Sequence, residues 1–204
     1  MSSSSHSSDA ERDRERQRLR ALRRGLSAER RREAELEIAA RLRQLRAYRR
    51  AVRIGVYFAV DGEVQLGGFI ADARRRGKQV YAPIIEADGM RFALTREEAD
   101  LAVNRFGIPE PRGTPLIELR MLDLVVTPLV GFDPRGTRLG MGGGYYDRSF
   151  GFLKHRTRWL KPKLVGVGFS GQRLAAIDAR PWDVRLCCAV TEDRIEYFGR
   201  SAGP

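Results

Sequence analysis

Short apolar runs recur along the chain, and each is bounded by glycine, proline or charged residues. Runs of this length between turn residues are typical of buried strands. We predict strands at residues 54–58, 79–83, 121–128, 164–169 and 186–191, and a shorter antiparallel one at 90–94. A helix ending near Arg76 separates the first two strands, and this strand–helix–strand order is typical of a parallel sheet.

Helical spacing dominates the first fifty residues. Residues 10–24 are predicted to form a short charged helix that Gly25 ends, and Ser27 is a good N-cap for a second helix that extends to Tyr48. An apolar residue recurs every three or four positions along this second helix: Ala34, Ile38, Leu42 and Leu45. The stripe predicts that the second helix packs on the core.

The length and composition fit one soluble domain. The chain has 204 residues, of which 42% are apolar, enough for a full core. No apolar run approaches the roughly 20 residues that span a bilayer. The polar, serine-rich residues 1–9 predict a disordered tail, which leaves 10–204 as a single α/β domain.

The net charge and the cysteine and histidine content limit the kinds of partner, cellular compartment and metal site that the protein can have. The formal net charge of +12 indicates an anionic ligand, nucleic acid or an acidic surface as partner. The two cysteines, Cys187 and Cys188, are adjacent and cannot form an unstrained disulfide, which favours the reducing cytoplasm. With only two histidines, a Cys/His zinc site is disfavoured.

The densest chemical signal lies after the apolar run that ends at Pro128. Arg138 is followed by the glycine-rich residues 140–144 and then by Asp147. Such a loop between a strand and a helix presents N–H groups to an anion, most often a phosphate. A flexible surface turn is the alternative, but a nearby arginine and aspartate suit a phosphate and its Mg²⁺. The chain has no GxxxxGK[ST] sequence, so this is not a standard P-loop.

The string RGTRLGMGGGYYDR, residues 135–148, closely resembles the nucleotide-binding signature of the 5-formyltetrahydrofolate cyclo-ligases, also called 5,10-methenyltetrahydrofolate synthetases. The similarity extends over nearly the whole chain. It implies a single-domain three-layer α/β sandwich with a mostly parallel, mixed sheet and N-terminal helices, NagB/RpiA/CoA-transferase-like. The implied reaction converts 5-formyltetrahydrofolate to 5,10-methenyltetrahydrofolate, depends on ATP and Mg²⁺, and releases ADP and phosphate.

The resemblance also implies residue roles. The ATP-binding residues would be Arg16, Arg20, Arg138, Leu139, Gly140, Met141, Gly142, Gly143, Gly144, Tyr145 and Tyr146. Of these, Arg138 and Tyr146 would be catalytic. The reduced folate would contact Phe58, Glu63 and Tyr145, and Mg²⁺ would be held by Asp147 and Asp183.

Two residues near the C-terminus depart from the family pattern. Trp182 replaces a histidine, and Cys187 stands where the family has a second acid. The Cys187 departure removes a charge and puts in doubt the role of that acid in metal or loop support. Because Asp147, Asp183 and the glycine loop remain, we predict an active enzyme.

Other functions remain open from the residues. A non-catalytic RNA-binding protein on the same fold would use the net charge of +12 and the arginine-rich helices, although no RNP-type or GxxG motif stands out. Another option is a different ATP-dependent enzyme that acts on another folate or amide. The predicted partners are small molecules, ATP and a reduced folate, without membrane or nucleic acid, and the predicted form is a cytoplasmic monomer.

Overall fold

The computed structural model describes residues 3–96, 101–104, 107–156 and 161–199, with side chains from Asp9 onward. Its helices are α1 Ser3–Arg24, α2 Ala28–Gln44, α3 Arg46–Arg50, α4 Gly67–Arg75 and α5 Tyr145–Phe150. The first six strands are β1 Arg53–Gly55, β2 Gln79–Glu86, β3 Gly89–Leu94, β4 Leu101–Val103, β5 Pro109–Pro111 and β6 Leu116–Ile117. The remaining strands are β7 Leu124–Pro128, β8 Gly131–Phe132, β9 Arg138–Leu139, β10 Lys163–Val167, β11 Cys188–Val190 and β12 Ile195–Tyr197.

The described strands build one large mixed sheet and two small ribbons. The large sheet has eight strands in the order β12-β11-β10-β7-β1-β2-β3-β6. Neighbours from β11 to β2 are parallel, whereas β12, β3 and β6 join the edges in antiparallel pairs. Strands β4 and β5 form one antiparallel ribbon, and β8 and β9 form the other.

Apolar side chains cover both faces of the large sheet. On one face, α2, α3 and α4 pack on the central strands around buried residues such as Ile38, Tyr48 and Phe69. On the other face, α5 and the turn after it cover the sheet, with Phe150 packed edge-on against Phe92 at 6.1 Å. The mostly parallel sheet with helices confirms the predicted fold class, and the buried stripe on α2 follows the predicted spacing.

The helix boundaries differ from the prediction at both ends of the N-terminal region. α1 begins at Ser3, before the predicted helix start at residue 10, and no glycine or proline interrupts the chain from Ser3 to Arg24. Gly25 follows α1, and the Ser27 side chain caps α2 as predicted. The predicted second helix is divided at Leu45, where the backbone is extended, into α2 and α3.

Several strand boundaries also differ. β1 ends at Gly55, so residues 56–58 of the predicted strand lie beyond it, although the Val56 N–H still donates to the Tyr81 carbonyl of β2. β11 begins at Cys188 and not at Leu186. The edge strand β12 and the ribbon β8–β9 were not predicted, because strands of two or three residues give no readable alternation. None of the described helices is long and apolar enough to cross a membrane.

The packing of α2 gives a stability prediction. Ile38 is fully buried, whereas Leu36 on the same helix is 64% exposed. We expect Ile38→Ala to lower the free energy of unfolding by about 2–5 kcal/mol, because it removes buried methyl groups and leaves a cavity. Leu36→Ala should change it by less than about 0.5 kcal/mol. Urea unfolding followed by circular dichroism measures both, and equal losses would contradict the burial of this stripe.

Candidate active site

A cavity of about 770 Å³ opens at the carboxyl ends of the central parallel strands. Tyr57 and Phe58 follow β1 into its wall, Ile85 comes from the end of β2, and Pro128 is the last residue of β7. In open α/β sheets, this end of the strands is where ligands bind. The lining is largely apolar, with a small set of charged groups: Asp61, Glu63, Glu110, Arg138 and Asp147.

The glycine loop forms one wall of the cavity. The ribbon β8–β9 carries the chain into this loop, and α5 begins directly after it. Gly142 has φ 106° and Gly144 has φ 65°, values that side chains disfavour. A Cβ atom on Gly143 would lie 2.8 Å from the Tyr145 ring. These glycines are therefore required by the course of the backbone.

Arg138 is the buried cation of the cavity. Its Nη2 donates to Asp147 Oδ1 at 2.9 Å, and its guanidinium carbon lies 5.3 Å from the centre of the Tyr146 ring. Within the described part of the chain, its Nη1 is buried and has no hydrogen-bond partner. A buried, unsatisfied donor is costly, and an anionic ligand in the cavity would satisfy it.

The two predicted metal ligands lie in different surroundings. Asp147 lines the cavity, and its Oδ1 accepts bonds from Arg138 and from the Val184 backbone N–H at 3.0 Å. Asp183 accepts from the Arg180 backbone N–H at 2.9 Å and pairs with Arg12 at 3.6 Å, and it does not line the cavity. The bond to Val184 nevertheless joins Asp147 to the residue directly after Asp183.

The described residues contain no cluster of three or more acidic, histidine or cysteine side chains arranged to hold a metal. Mg²⁺ is usually held by one or two carboxylates together with substrate phosphates and water, so such a cluster is not required. The hydrogen bonds that Asp147 accepts from Arg138 and Val184 both use Oδ1. Its second oxygen, in a cavity walled by the glycine loop, is compatible with that kind of magnesium site.

The predicted arginines of α1 reach residues that line the cavity. Arg16 Nε donates to the Gly140 carbonyl at 2.9 Å, and Arg20 Nε donates to Asp61 Oδ2 at 2.6 Å. Both arginines therefore lie at its rim, although neither lines it directly. Leu139 also lies outside the lining, because its side chain is buried in a small core cluster with Leu19.

Asp61 is a site residue that the sequence analysis missed. It has φ 52°, and its carboxylate accepts hydrogen bonds from Arg20, Arg23 and Arg24. Burial works to raise the pKa of Asp61, but these hydrogen bonds lower it to about 2. The signal available in the sequence was an Asp-Gly turn after a strand together with a helix rich in arginine.

The predicted folate residues lie together on the cavity wall. Phe58, Glu63 and Tyr145 all line it, as does Tyr146. Burial raises the pKa of Glu63 to about 7, opposed by a bond from the Val60 N–H and by Arg23. Burial also raises the pKa of Tyr146, which keeps its hydroxyl protonated. The structure thus brings a buried carboxyl group and aromatic rings to the same cavity as Arg138.

Comparison with known proteins decides the family. The model of the 5-formyltetrahydrofolate cyclo-ligase family matches residues 8–192. The chain belongs to this family. It is 32% identical over 182 residues to the 5-formyltetrahydrofolate cyclo-ligase of Escherichia coli K12, a match that covers 87% of this chain and 98% of that protein. It is 31% identical over 175 residues to the Haemophilus influenzae cyclo-ligase, covering 82% and 90% of the two chains.

Solved structures agree with this assignment. The structure of Aquifex aeolicus 5,10-methenyltetrahydrofolate synthetase is similar with a TM-score of 0.80 and 28% identity, over 95% of this chain and 96% of that one. The Mycoplasma pneumoniae enzyme shares the fold with a TM-score of 0.70 at 24% identity, over 89% and 98% of the two chains. The alternative of a non-catalytic RNA-binding protein gains no support from these relatives.

The departure from the cyclo-ligase pattern at Cys187 lies away from the cavity lining. Its side chain is half-buried and packs against the core cluster beneath α2 and α4. Gln172 is buried and donates to the carbonyls of Leu129 and Val130 at 3.0 and 2.8 Å. These two hydrogen bonds of Gln172 hold the chain that follows β7. The exposed Trp182 does not line the cavity either.

The arginine cluster around Asp61 gives a pH prediction. Since the folded pKa is depressed to about 2, the stabilisation is present above the unfolded pKa of about 4 and is lost as the pH falls toward 2. We therefore expect Asp61→Asn to be less stable than the wild type at pH 7, with the difference shrinking between about pH 4 and pH 2. Denaturant unfolding at each pH measures it. A difference that does not vary with pH would contradict the ionic role.

Proposed function

We propose that this cyclo-ligase family member converts 5-formyltetrahydrofolate and ATP to 5,10-methenyltetrahydrofolate, ADP and phosphate. The single observation that carries the proposal is the buried Nη1 of Arg138, which has no hydrogen-bond partner among the described residues and lies in a cavity walled by the glycine loop. A phosphate oxygen is the ligand that fits such a donor beside loop N–H groups. The named activities of the relatives support the same reaction.

The chemistry explains why phosphate and folate must share one cavity. A formamide carbonyl is a poor electrophile, and its oxygen does not leave readily as hydroxide. Transfer of the γ-phosphoryl group to the formyl oxygen turns that oxygen into a phosphate leaving group. The N10 amine then attacks the formyl carbon, the C–O bond breaks, and the ring closes. Catalysis is therefore mainly positioning and charge stabilisation.

On the nucleotide side, the N–H groups of residues 140–144 and the Arg138 guanidinium would bind the phosphate oxygens. Arg16 and Arg20 would add positive charge at the rim, since each already bonds a residue of the cavity wall. Arg20 would exchange part of its contact with Asp61 for phosphate. Tyr146, stacked near Arg138, would limit the movement of the guanidinium.

On the folate side, Glu63 would accept hydrogen bonds from the N–H groups of the reduced pterin, while Phe58 and Tyr145 would contact its ring. The aromatic and aliphatic lining suits a flat heterocycle. The exclusion of water from this cavity would strengthen each charged contact, because the local dielectric constant falls. With these assignments, the formyl group would lie between Glu63 and the glycine loop.

Asp147 and Asp183 would hold Mg²⁺ together with phosphate oxygens and water. The ion would neutralise charge on the transferring phosphoryl group. Asp147 would provide its second oxygen, and Asp183 would have to release or share its pair with Arg12. We further propose that the protein acts as a cytoplasmic monomer on its two small-molecule substrates.

The test is direct. Purified protein is mixed with 5-formyltetrahydrofolate and Mg-ATP, and the absorbance of methenyltetrahydrofolate is followed. We expect product only when ATP and Mg²⁺ are both present, with one ADP formed per ring closed. Turnover with a non-hydrolysable ATP analogue would contradict phosphorylation of the formyl oxygen. A lack of turnover with this folate but ATP hydrolysis with another amide would favour the alternative enzyme.

Arg138 gives a quantitative prediction. Arg138→Ala removes charge-assisted hydrogen bonds that contribute on the order of 1.5–3 kcal/mol each, so kcat/KM for ATP should fall by roughly ten- to a hundredfold or more. Arg18→Ala is the matched control, because Arg18 is exposed on α1 and pairs with Glu15. It should stay within about twofold of the wild type. Arg24 is unsuitable as a control, because it bonds Asp61.

Equal losses of kcat/KM in the Arg138 and Arg18 variants would indicate diffuse electrostatics. The assignment of Arg138 to the phosphates would then be wrong. Steady-state kinetics at two salt concentrations separates the two outcomes, since exposed charges are screened by salt more strongly than buried ones.

A further inference from the structure

Arg23 is fully buried, although it lies on a helix of mostly exposed charged residues. Each of its three guanidinium nitrogens has an acceptor. Nε donates to the Asp61 carbonyl at 2.8 Å, Nη1 to the Leu129 carbonyl at 3.2 Å, and Nη2 to Asp61 Oδ2 at 2.9 Å. A buried guanidinium is tolerated when it is paired in this way, so this position in the fold is built for arginine.

The acceptors of Arg23 all belong to the cavity wall. Asp61 and Leu129 line the cavity, as does Glu63, whose Oε1 lies 3.8 Å from Arg23 Nη2. Arg23 itself does not line it. The guanidinium therefore contacts the wall on the side that faces away from the cavity. Its hydrogen bonds connect the turn that carries Glu63 to the chain that follows β7.

Arg23 is also the cation paired with Glu63 among the described residues. The other titratable groups that face Glu63 are Asp61 on the same turn, Tyr57 after β1 and Tyr146 on α5, with Arg138 beyond Tyr146. Asp61 carries a like charge. Loss of Arg23 would therefore leave Glu63 without a counter-charge, whereas Asp61 would keep Arg20 and Arg24.

We propose that Arg23 is a positioning residue for the folate half of the site: its hydrogen bonds to Asp61 hold the turn that carries Glu63, and its guanidinium supplies the counter-charge of the Glu63 carboxylate. The inference rests on the proposed function, since it assigns Glu63 to the pterin. Arg23 acts through Glu63 and does not contact the reacting atoms. Its effect should fall on folate binding more than on ATP binding.

A matched control comes from α2. Arg31 Nη1 donates to the Gly62 carbonyl at 2.8 Å, so it also holds the turn between Asp61 and Glu63. It has no ion pair with either carboxylate among the contacts of the described residues. Arg31→Gln thus removes a cation that pairs with neither carboxylate, together with its hydrogen bonds to the Gly62 and Arg23 carbonyls, whereas Arg23→Gln removes the cation that is paired with Glu63.

The test compares the wild type, Arg23→Gln, Arg23→Lys and Arg31→Gln by steady-state kinetics from pH 5.5 to 9. We expect Arg23→Gln to raise KM for 5-formyltetrahydrofolate by roughly tenfold or more and KM for ATP by less than about threefold. The kcat/KM for the folate should rise with pH as Glu63 loses its proton. In Arg23→Gln this rise should move to higher pH, because a lost cation raises the pKa of a neighbouring carboxyl group.

Arg23→Lys and Arg31→Gln distinguish the effect of the geometry of Arg23 from the effect of its charge. Arg23→Lys keeps the cation but loses the planar fork, so KM for the folate should rise while the pH profile stays at the wild-type position. Arg31→Gln should also leave the profile unmoved. The proposal is wrong if Arg31→Gln reproduces the shift, or if Arg23→Gln raises both KM values equally without a shift.

Two further outcomes are distinguishable. No turnover by the wild type would overturn the proposed function, whereas wild-type turnover with unchanged Arg23→Gln kinetics would overturn only the role of Arg23. If Arg23→Gln does not give folded protein by circular dichroism, Arg23→Lys decides. An unchanged KM for the folate in Arg23→Lys, or a shifted pH profile, would then contradict the proposal.

Discussion

Helix α1 is attached to the rest of the molecule by charge, and the candidate site depends on that attachment. The fully buried apolar contact of α1 is Leu19, which packs in a cluster with Val130, Leu139 and Ile177. Among the described side chains of α1, from Asp9 onward, the other fully buried one is that of Arg23. Because a buried cation requires acceptors, the wall of the cavity must present oxygens to the helix. Asp61 and the Leu129 carbonyl meet that requirement.

This attachment explains why the site joins distant parts of the chain. The parallel strands bring the residues after β1, β2 and β7 to one edge of the sheet, as α/β topology dictates. Without α1, the cavity at this edge of the sheet would lack the arginines that contact two of its walls. Helix α1 crosses it with Arg16 on the glycine loop and Arg20 on the Asp61 turn. In the proposed reaction, the phosphates and the pterin would thereby be held next to one another.

Much of the fold and part of the site could be predicted from the sequence, because their signals are local. Buried strands appear as apolar runs, the core stripe of α2 as helical spacing, and the phosphate loop as a glycine run beside Arg138 and Asp147. The cluster of Asp61 and Arg23 could not be predicted in the same way. The cluster pairs residues that lie 38 positions apart in the sequence. Arg23 is one of many arginines on α1, and nothing in the neighbouring sequence indicates that this one is buried. The short strands were missed for a related reason, since their pairing partners and not their own sequences define them.

The contacts of a residue, which its own sequence position does not reveal, also matter for Trp182 and Cys187, the two departures from the family pattern. Cys187 packs against the core below α2 and α4 and does not line the cavity. What remains at the cavity is Asp147, whose Oδ1 is fixed by Arg138 and by the Val184 N–H. A carboxylate fixed through one oxygen keeps its orientation while the other oxygen is available to a hard cation. The geometry around Asp147 therefore does not depend on the acid that Cys187 replaces.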